Sequence, residues 1–178
     1  MRRIIATVLA ATSLMGSAAL AQDSEFPTQQ ELADQSNGTV ARHGDWEIRC
    51  GEDGAECRMV QLALDAEGNS VVSITMQTLP EGSSAQLGVV MVSPLLTLLP
   101  RGISLSVDDG VPAAYPFSWC DRQGCYARFG LTTAQVDTFK AGTTANINIF
   151  AVTDAENPVQ ASISLSGFTD TVADLSER

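Results

Sequence analysis

The sequence predicts an all-β fold: an antiparallel β-sandwich or barrel-like domain with one or two short helices. Three observations lead to it. From Gly44 onward the chain consists of short apolar-rich runs separated by Gly, Pro, Asp and Asn clusters, which is the sequence form of a sandwich or barrel. Several runs alternate apolar and polar residues, so that one side of a strand meets a core and the other meets water. Residues 44–178 number 135 (178 − 43), and a domain of roughly that size hides about two-thirds of its unfolded surface and can be stable alone.

The elements follow in order. Trp46, Ile48 and Cys50 share one face of a first strand, and Val60, Leu62 and Leu64 alternate in the next, after a turn at Glu52-Asp53-Gly54. Val71 to Met76 continues beyond Glu67-Gly68-Asn69, which makes a meander of adjacent hairpins. Leu87 to Leu99 is almost wholly apolar, broken by Gly88, Ser93, Pro94 and Thr97, and reads as a strand buried on both faces or as two short strands meeting at a Pro94 bulge. Ile103, Leu105 and Val107 alternate before Asp108-Asp109-Gly110, where Asp-Gly fits a type I′ hairpin turn. Further strands are expected over Pro116 to Cys120, Cys125 to Phe129, Asn146 to Val152 and Val159 to Leu165. A helix is predicted over Thr133 to Lys140, capped by Thr132 or Thr133 and ended by Gly142. A shorter one at the chain's end carries Phe168, Val172 and Leu175 on one side.

Residues 1–21 have the form of an export signal. Met1-Arg2-Arg3 is a basic start, Ile4 to Leu14 is uncharged and mostly apolar, and Ala19-Leu20-Ala21 gives the small-x-small pattern for cleavage between Ala21 and Gln22. A membrane anchor fits less well, because Ile4 to Ala21 is barely long enough to span and is interrupted by Thr7, Thr12, Ser13, Gly16 and Ser17. No other stretch reaches that length, so no transmembrane segment is expected in the mature chain, and no Cys follows the cleavage site to carry a lipid. Residues 22–43 are polar and acidic, with Phe26, Leu32 and Val40 as their bulky apolar residues, and read as a flexible acidic lead before a single β-rich domain over 44–178.

The four cysteines form two local sets, Cys50-x₆-Cys57 and Cys120-x₄-Cys125. An exported chain meets an oxidising compartment, so an even count reads first as disulfides, for which four cysteines allow three connectivities. The local pairing, Cys50 with Cys57 and Cys120 with Cys125, is preferred because each pair flanks a glycine-containing turn between two strands. Such small loops are worth about 2 to 2.5 kcal/mol each in the chain-entropy model. A redox-active pair is expected as Cys-x-x-Cys, and a Cys₄ zinc site wants closer spacing than Cys50 and Cys57 offer.

Charge and composition exclude more than they specify. Ten Lys+Arg stand against 21 Asp+Glu, for a net charge of −11; loss of Arg2 and Arg3 with the signal makes it 8 − 21 = −13. This argues against unaided binding to nucleic acid or anionic lipid. His43 is the single histidine and reads as a surface or turn residue; there is no Gly-x-Ser-x-Gly elbow for a triad to use. Asp108-Asp109 lacks the alternating acids of a calcium loop, and Gly82-Ser83-Ser84 lacks the Lys-Ser/Thr of a phosphate cradle. Trp46, Phe117, Trp119, Tyr126 and Phe129 could form a binding platform, although aromatics in short strands are more often core. No catalytic, cofactor-binding or metal-ligating residue is assigned.

The order of several landmarks resembles the invasion-associated locus B family. These are Gly44-Asp45-Trp46, Cys50, Cys57 and Gln61; Gly102-Ile103-x-Leu105-x-Val107-Asp108-x-Gly110; Pro116-Phe117-x-x-Cys120 with Gly124-Cys125; and Ser164-Leu165-x-Gly167-Phe168-Thr169. The resemblance runs from about Gly44 to Leu175. It implies a small secreted or periplasmic all-β protein of Gram-negative, mainly alphaproteobacterial, cells, from a family whose founding members are linked to host-cell invasion and for which no catalytic activity is established. It transfers the two cysteine pairs and no catalytic residues. The acidic charge departs from the basic character of some invasion-linked members and weighs against direct adhesion to negatively charged host surfaces.

The expected function is therefore a non-enzymatic exported binding or virulence-associated factor with a protein or cell-envelope partner. The alternative is an envelope assembly or stress factor that captures exported chains by strand addition, suggested by the apolar run Leu87 to Leu99. A hydrolase of unknown type working through carboxylates is a third reading.

Overall fold

A computed structural model of the chain describes residues 38–178 except 52, 53 and 55. The export signal, its Ala21–Gln22 junction and residues 22–37 of the lead lie outside the described residues. Eleven strands occur among the described residues: β1 (Thr39–His43), β2 (Trp46–Arg49), β3 (Arg58–Leu64), β4 (Ser70–Thr78), β5 (Leu87–Ser93), β6 (Ile103–Val107), β7 (Ala113–Tyr115), β8 (Phe117–Cys120), β9 (Cys125–Leu131), β10 (Thr144–Ala151) and β11 (Asp154–Ser164). Two helices accompany them, α1 (Thr133–Ala141) and α2 (Phe168–Glu177), with a short 3₁₀ turn at Leu99–Arg101. The strand β1 forms from Thr39–His43, the part of the acidic lead that the structure describes, and pairs with β2.

All strands join one antiparallel sheet in the order β7-β6-β10-β11-β3-β4-β5-β9-β8, with β2 also on β3 and β1 on β2. The ends of this path come together: β7 and β8 are joined through Pro116, and the Tyr115 ring stacks on Phe129 of β9 at 3.6 Å between centroids. The result is a nearly closed barrel. Its exterior divides into a β10 half (β6, β10, β11) and a β3 half (β3, β4, β5, β9, β8, with β2 and β1 beside β3).

The core lies inside the sheet. Ile48, Met59, Ile74, Met76, Leu87, Met91, Ile103, Leu131, Ile147 and Ile163 are fully buried there. In β3 the inward register is Met59, Gln61 and Ala63, since Met59 opposes Met76 and Ala63 opposes Val72. Val60, Leu62 and Leu64, the apolar alternation legible in the sequence, therefore point outward; a one-residue change of register exchanges the two sides of a strand. The Leu87 to Leu99 run also departs from both readings of it. Its strand ends at Ser93, before Pro94, and only Leu87, Val89, Met91 and Ser93 are buried, while Gly88, Val90 and Val92 are half-buried on the outer side. Beyond it, Leu95, Leu96 and Leu99 are exposed.

Helix α1 begins with a capping box: Thr132 Oγ1 accepts from the Gln135 N–H, and Gln135 Oε1 accepts from the Thr132 N–H. Its Val136 and Phe139 enter the core, as do Phe168, Val172 and Leu175 of α2. Asp108-Asp109-Gly110 makes a different turn from the one expected. It closes from Val107 O to Gly110 N at 2.8 Å, with Asp108 rather than Gly110 at positive φ (47°). The reason lies in the Asp108 carboxylate, which accepts from the N–H groups of Thr143 and Thr144 and so fixes the start of β10.

Where β3 meets β11 the backbone ladder is short, a single register pair between Ser162 and Leu64. Side chains continue the seam. Gln61 Oε1 accepts from the Ser164 N–H at 2.8 Å while Gln61 Nε2 donates to Ser164 O and Asp45 O, and Trp46 Nε1 donates to Ser164 O at 3.0 Å. Trp46 is fully buried and meets Phe168 edge to face at 5.5 Å. Gly44 and Gly167 cross here with positive φ of 55° and 81°; a Cβ on Gly167 would lie 2.1 Å from His43 O, and one on Gly44 2.4 Å from Ser166 O. The landmarks at the two ends of the resemblance are thus two sides of one close contact.

Candidate functional site

The described residues contain no three His, Cys, Asp or Glu side chains placed to hold a metal ion, and no helix long and apolar enough to cross a membrane. A shallow open depression between the β6–β7 turn and α1 is lined by Asp108, Asp137 and Thr138, but Asp108 is already engaged by two backbone N–H groups. His43 does have a partner. Its Nε2 lies 2.8 Å from Asp174 Oδ2, and Asp174 also accepts from Arg178, so the group fastens α2 to β1. Arg178 first and His43 second hold the Asp174 carboxyl below its ordinary range. The sequence hides this pair because its members lie 131 residues apart.

The cysteines stand as two disulfides, Cys50–Cys57 and Cys120–Cys125, each with Cα atoms 4.0 Å apart. The first joins the ends of the β2–β3 hairpin; the second joins a directly opposed pair at the end of β8 and β9. Both fix hairpin register.

The five aromatic residues weighed as a platform separate. Trp46 is core, and Phe117 and Phe129 pack against the core. Trp119 and Tyr126 face outward from β8 and β9 with their rings stacked at 4.8 Å, Trp119 is 43% exposed, and the Arg128 guanidinium lies 5.8 Å from the Trp119 ring. Burial pushes the Tyr126 phenol up, with a further contribution from the negative charge of Asp121.

This pair ends a continuous row. Residues opposed across strands share a face, and the register runs Leu62–Ser73–Val92–Tyr126–Trp119 over β3, β4, β5, β9 and β8. A parallel row runs Arg42–Glu47–Val60–Thr75–Val90–Arg128, from β1 to β9. Together they make an outer face with Val60, Leu62, Val90, Val92, Tyr126 and Trp119 as its apolar body. Glu47 pairs with Arg42 and with Arg49; burial raises its carboxyl, but hydrogen bonds from Arg49 and Thr39 and the two arginine charges outweigh this and hold it below its ordinary value. The strand part of the Leu87 to Leu99 run has no free edge, because β5 is paired with β4 on one side and β9 on the other. Strand capture by this run therefore loses the feature that suggested it. The exposed Leu95 and Leu96 that follow, the latter at φ 67°, lie at one end of the barrel beside Val152, whose N–H donates to Leu96 O.

Fold and face together define a small, disulfide-pinned antiparallel barrel whose outer wall on one half carries two mixed apolar and charged rows. The model of the invasion-associated locus B (IalB) proteins matches residues 46–176, and the chain belongs to that family. It is 32% identical over 127 residues to an invasion protein B homolog of Brucella abortus (strain 2308), covering 70% of this chain and 71% of that protein. The same values hold for a homolog from Brucella abortus biovar 1 (strain 9-941). The crystal structure of invasion associated protein B from Bartonella henselae superposes with a TM-score of 0.65 at 20% identity, over 78% of this chain and 98% of that one, which establishes the shared fold.

Proposed function

We propose that this chain is exported, with cleavage after Ala21, and acts by binding a macromolecular partner on the outer wall of the β3 half rather than by catalysis. The carrying observation is that wall itself: two cross-strand rows in which Val60, Leu62, Val90, Val92, Tyr126 and Trp119 face away from the core. Apolar area displayed together on a sheet exterior marks an interaction surface more often than a chance arrangement. The wall of a barrel is convex, whereas sites for small molecules are concave, so the shape favours a macromolecule. The export signal, the two disulfides and the family membership support a location outside the cytoplasm, and the names of the Brucella and Bartonella relatives support a role linked to invasion.

A photo-crosslinking residue placed at Val92, and separately at Asn148 on the β10 half, tests this in the producing cell. Adducts from Val92 and none from Asn148 are expected. Equal labelling at both positions, or none at Val92, would overturn the reading.

A further inference from the structure

The wall carries the opposite charge to the molecule. The chain has ten Lys+Arg in all, and without Arg2 and Arg3 eight remain among the described residues. Four of those eight, Arg42, Arg49, Arg58 and Arg128, lie on the outward register of β1, β2, β3 and β9, alongside one acid, Glu47. The wall's strand residues therefore sum to +4 − 1 = +3, or +2 when Asp121, whose charge reaches Tyr126 just beyond β8, is included, in a chain whose net charge is −11. The paired rungs of the β10 half, Ser104–Asn148–Gln160 and Ser106–Asn146–Ser162, carry no charge, and the exposed far end of β11 adds the acids Asp154 and Glu156.

We infer that the wall is the docking surface for an acidic patch on a protein partner, with Arg58 and Arg128 as its charged contacts and Val90, Val92, Tyr126 and Trp119 as its apolar centre. This rests on the binding reading above and adds the partner's chemistry. Charge complementarity is the argument for that partner. A positive stripe on a negative molecule orients an approaching acidic surface toward one side and repels it elsewhere. Arg58 and Arg128 flank the apolar rows, and neither has an ion pair among the described residues. Tyr, Trp and Arg around an apolar centre is also the composition in which binding energy concentrates at protein interfaces. The row from Leu62 to Trp119 crosses four strand spacings, roughly 19 Å at about 4.8 Å each. That suits a patch of a protein better than a membrane, because a flat anionic bilayer would also meet the acids at the ends of the strands, Glu56, Glu81 and Asp121 among them. A second copy of this chain is disfavoured by the same sign, since like walls repel.

The test uses the full chain in the producing cell, with the photo-crosslinking residue at Val92 and the adduct identified by peptide mass spectrometry. The expected adduct is a peptide segment with more Asp and Glu than Lys and Arg. Its yield is expected to fall at least ten-fold in Arg58→Glu/Arg128→Glu and to be largely retained in Arg58→Lys/Arg128→Lys, with the melting temperature unchanged in both. A neutral or basic segment, a lipid adduct, an adduct to this chain itself, or a yield indifferent to charge reversal would overturn this inference while leaving the binding wall standing. Absence of any Val92 adduct would overturn the binding reading itself. Should charge reversal lower the melting temperature, Arg128→Gln alone is measured in its place, with a fall in yield supporting the inference and an unchanged yield overturning it.

Discussion

The two halves of the barrel use the same inward code and differ in the outward one. Inside, Met59, Ile74 and Met91 on the β3 half and Ile147, Ile163 and Leu105 on the β10 half are equally buried. Outside, the β10 half presents rungs of Ser106–Asn146–Ser162 and Ser104–Asn148–Gln160, with Asn148 Nδ2 donating to Ser104 Oγ. The β3 half presents Leu62–Ser73–Val92–Tyr126–Trp119. A polar exterior is what a barrel needs for solubility. The apolar exterior is not needed by the fold, since the valines there already have inward neighbours that fill the core. The difference separates residues that hold the barrel together from residues it displays.

The comparison breaks most completely where the halves meet. Trp46→Ala removes a fully buried indole from the β3–β11 seam and is expected to cost about 3–5 kcal/mol in denaturant unfolding, a large part of a typical domain's total stability. A smaller effect sharpens the distinction within one strand. Met91→Ala, inward on β5, should cost about 2–5 kcal/mol, whereas Val90→Thr, its outward neighbour, should stay within about 0.5 kcal/mol. Equal costs would show that the wall serves the fold after all. The smallest effect concerns pH. The Asp174 carboxyl is depressed in the folded state by Arg178 and His43, so its contribution is present above the unfolded pKa and is lost as pH falls through the folded one. Asp174→Asn should therefore lower the melting temperature at neutral pH and leave it unchanged in strongly acidic buffer, narrowing the difference between the two.

The sequence reads differently on the two halves for the same reason. On β10 the alternation Ala145, Ile147, Ile149 against Asn146 and Asn148 has one interpretation, and the strand, Thr144–Ala151, overlaps the expected Asn146 to Val152. The helices, capped by Thr132 and patterned by Phe168, Val172 and Leu175, also fall where expected. On β3 and β5 both faces are apolar, and alternation cannot say which one is buried, so Val60 and Leu62 read as one natural strand face and Val90 as core. Register in that case is set by partners distant in the chain. Gln61 was legible only as a landmark, although a Gln between Met59 and Ala63 in the inward register is the mark of a polar group that must find a buried partner. The outer wall itself was half visible, as the aromatic set that the structure divides into core and surface.

The seam has one more consequence, in the order of events by which the barrel forms. Hairpins such as β3–β4 and β10–β11 join residues close in the chain and can form early, but the contact of Gln61 with Ser164 spans 103 residues. Closing so long a loop is entropically expensive until both halves offer contacts in return, and folds dominated by such distant pairings are slow. The two arcs are therefore expected to assemble independently, with the meeting of Gln61, Trp46 and Ser164 setting the refolding rate of the finished barrel, so that Gln61→Ala should slow refolding in stopped-flow measurements.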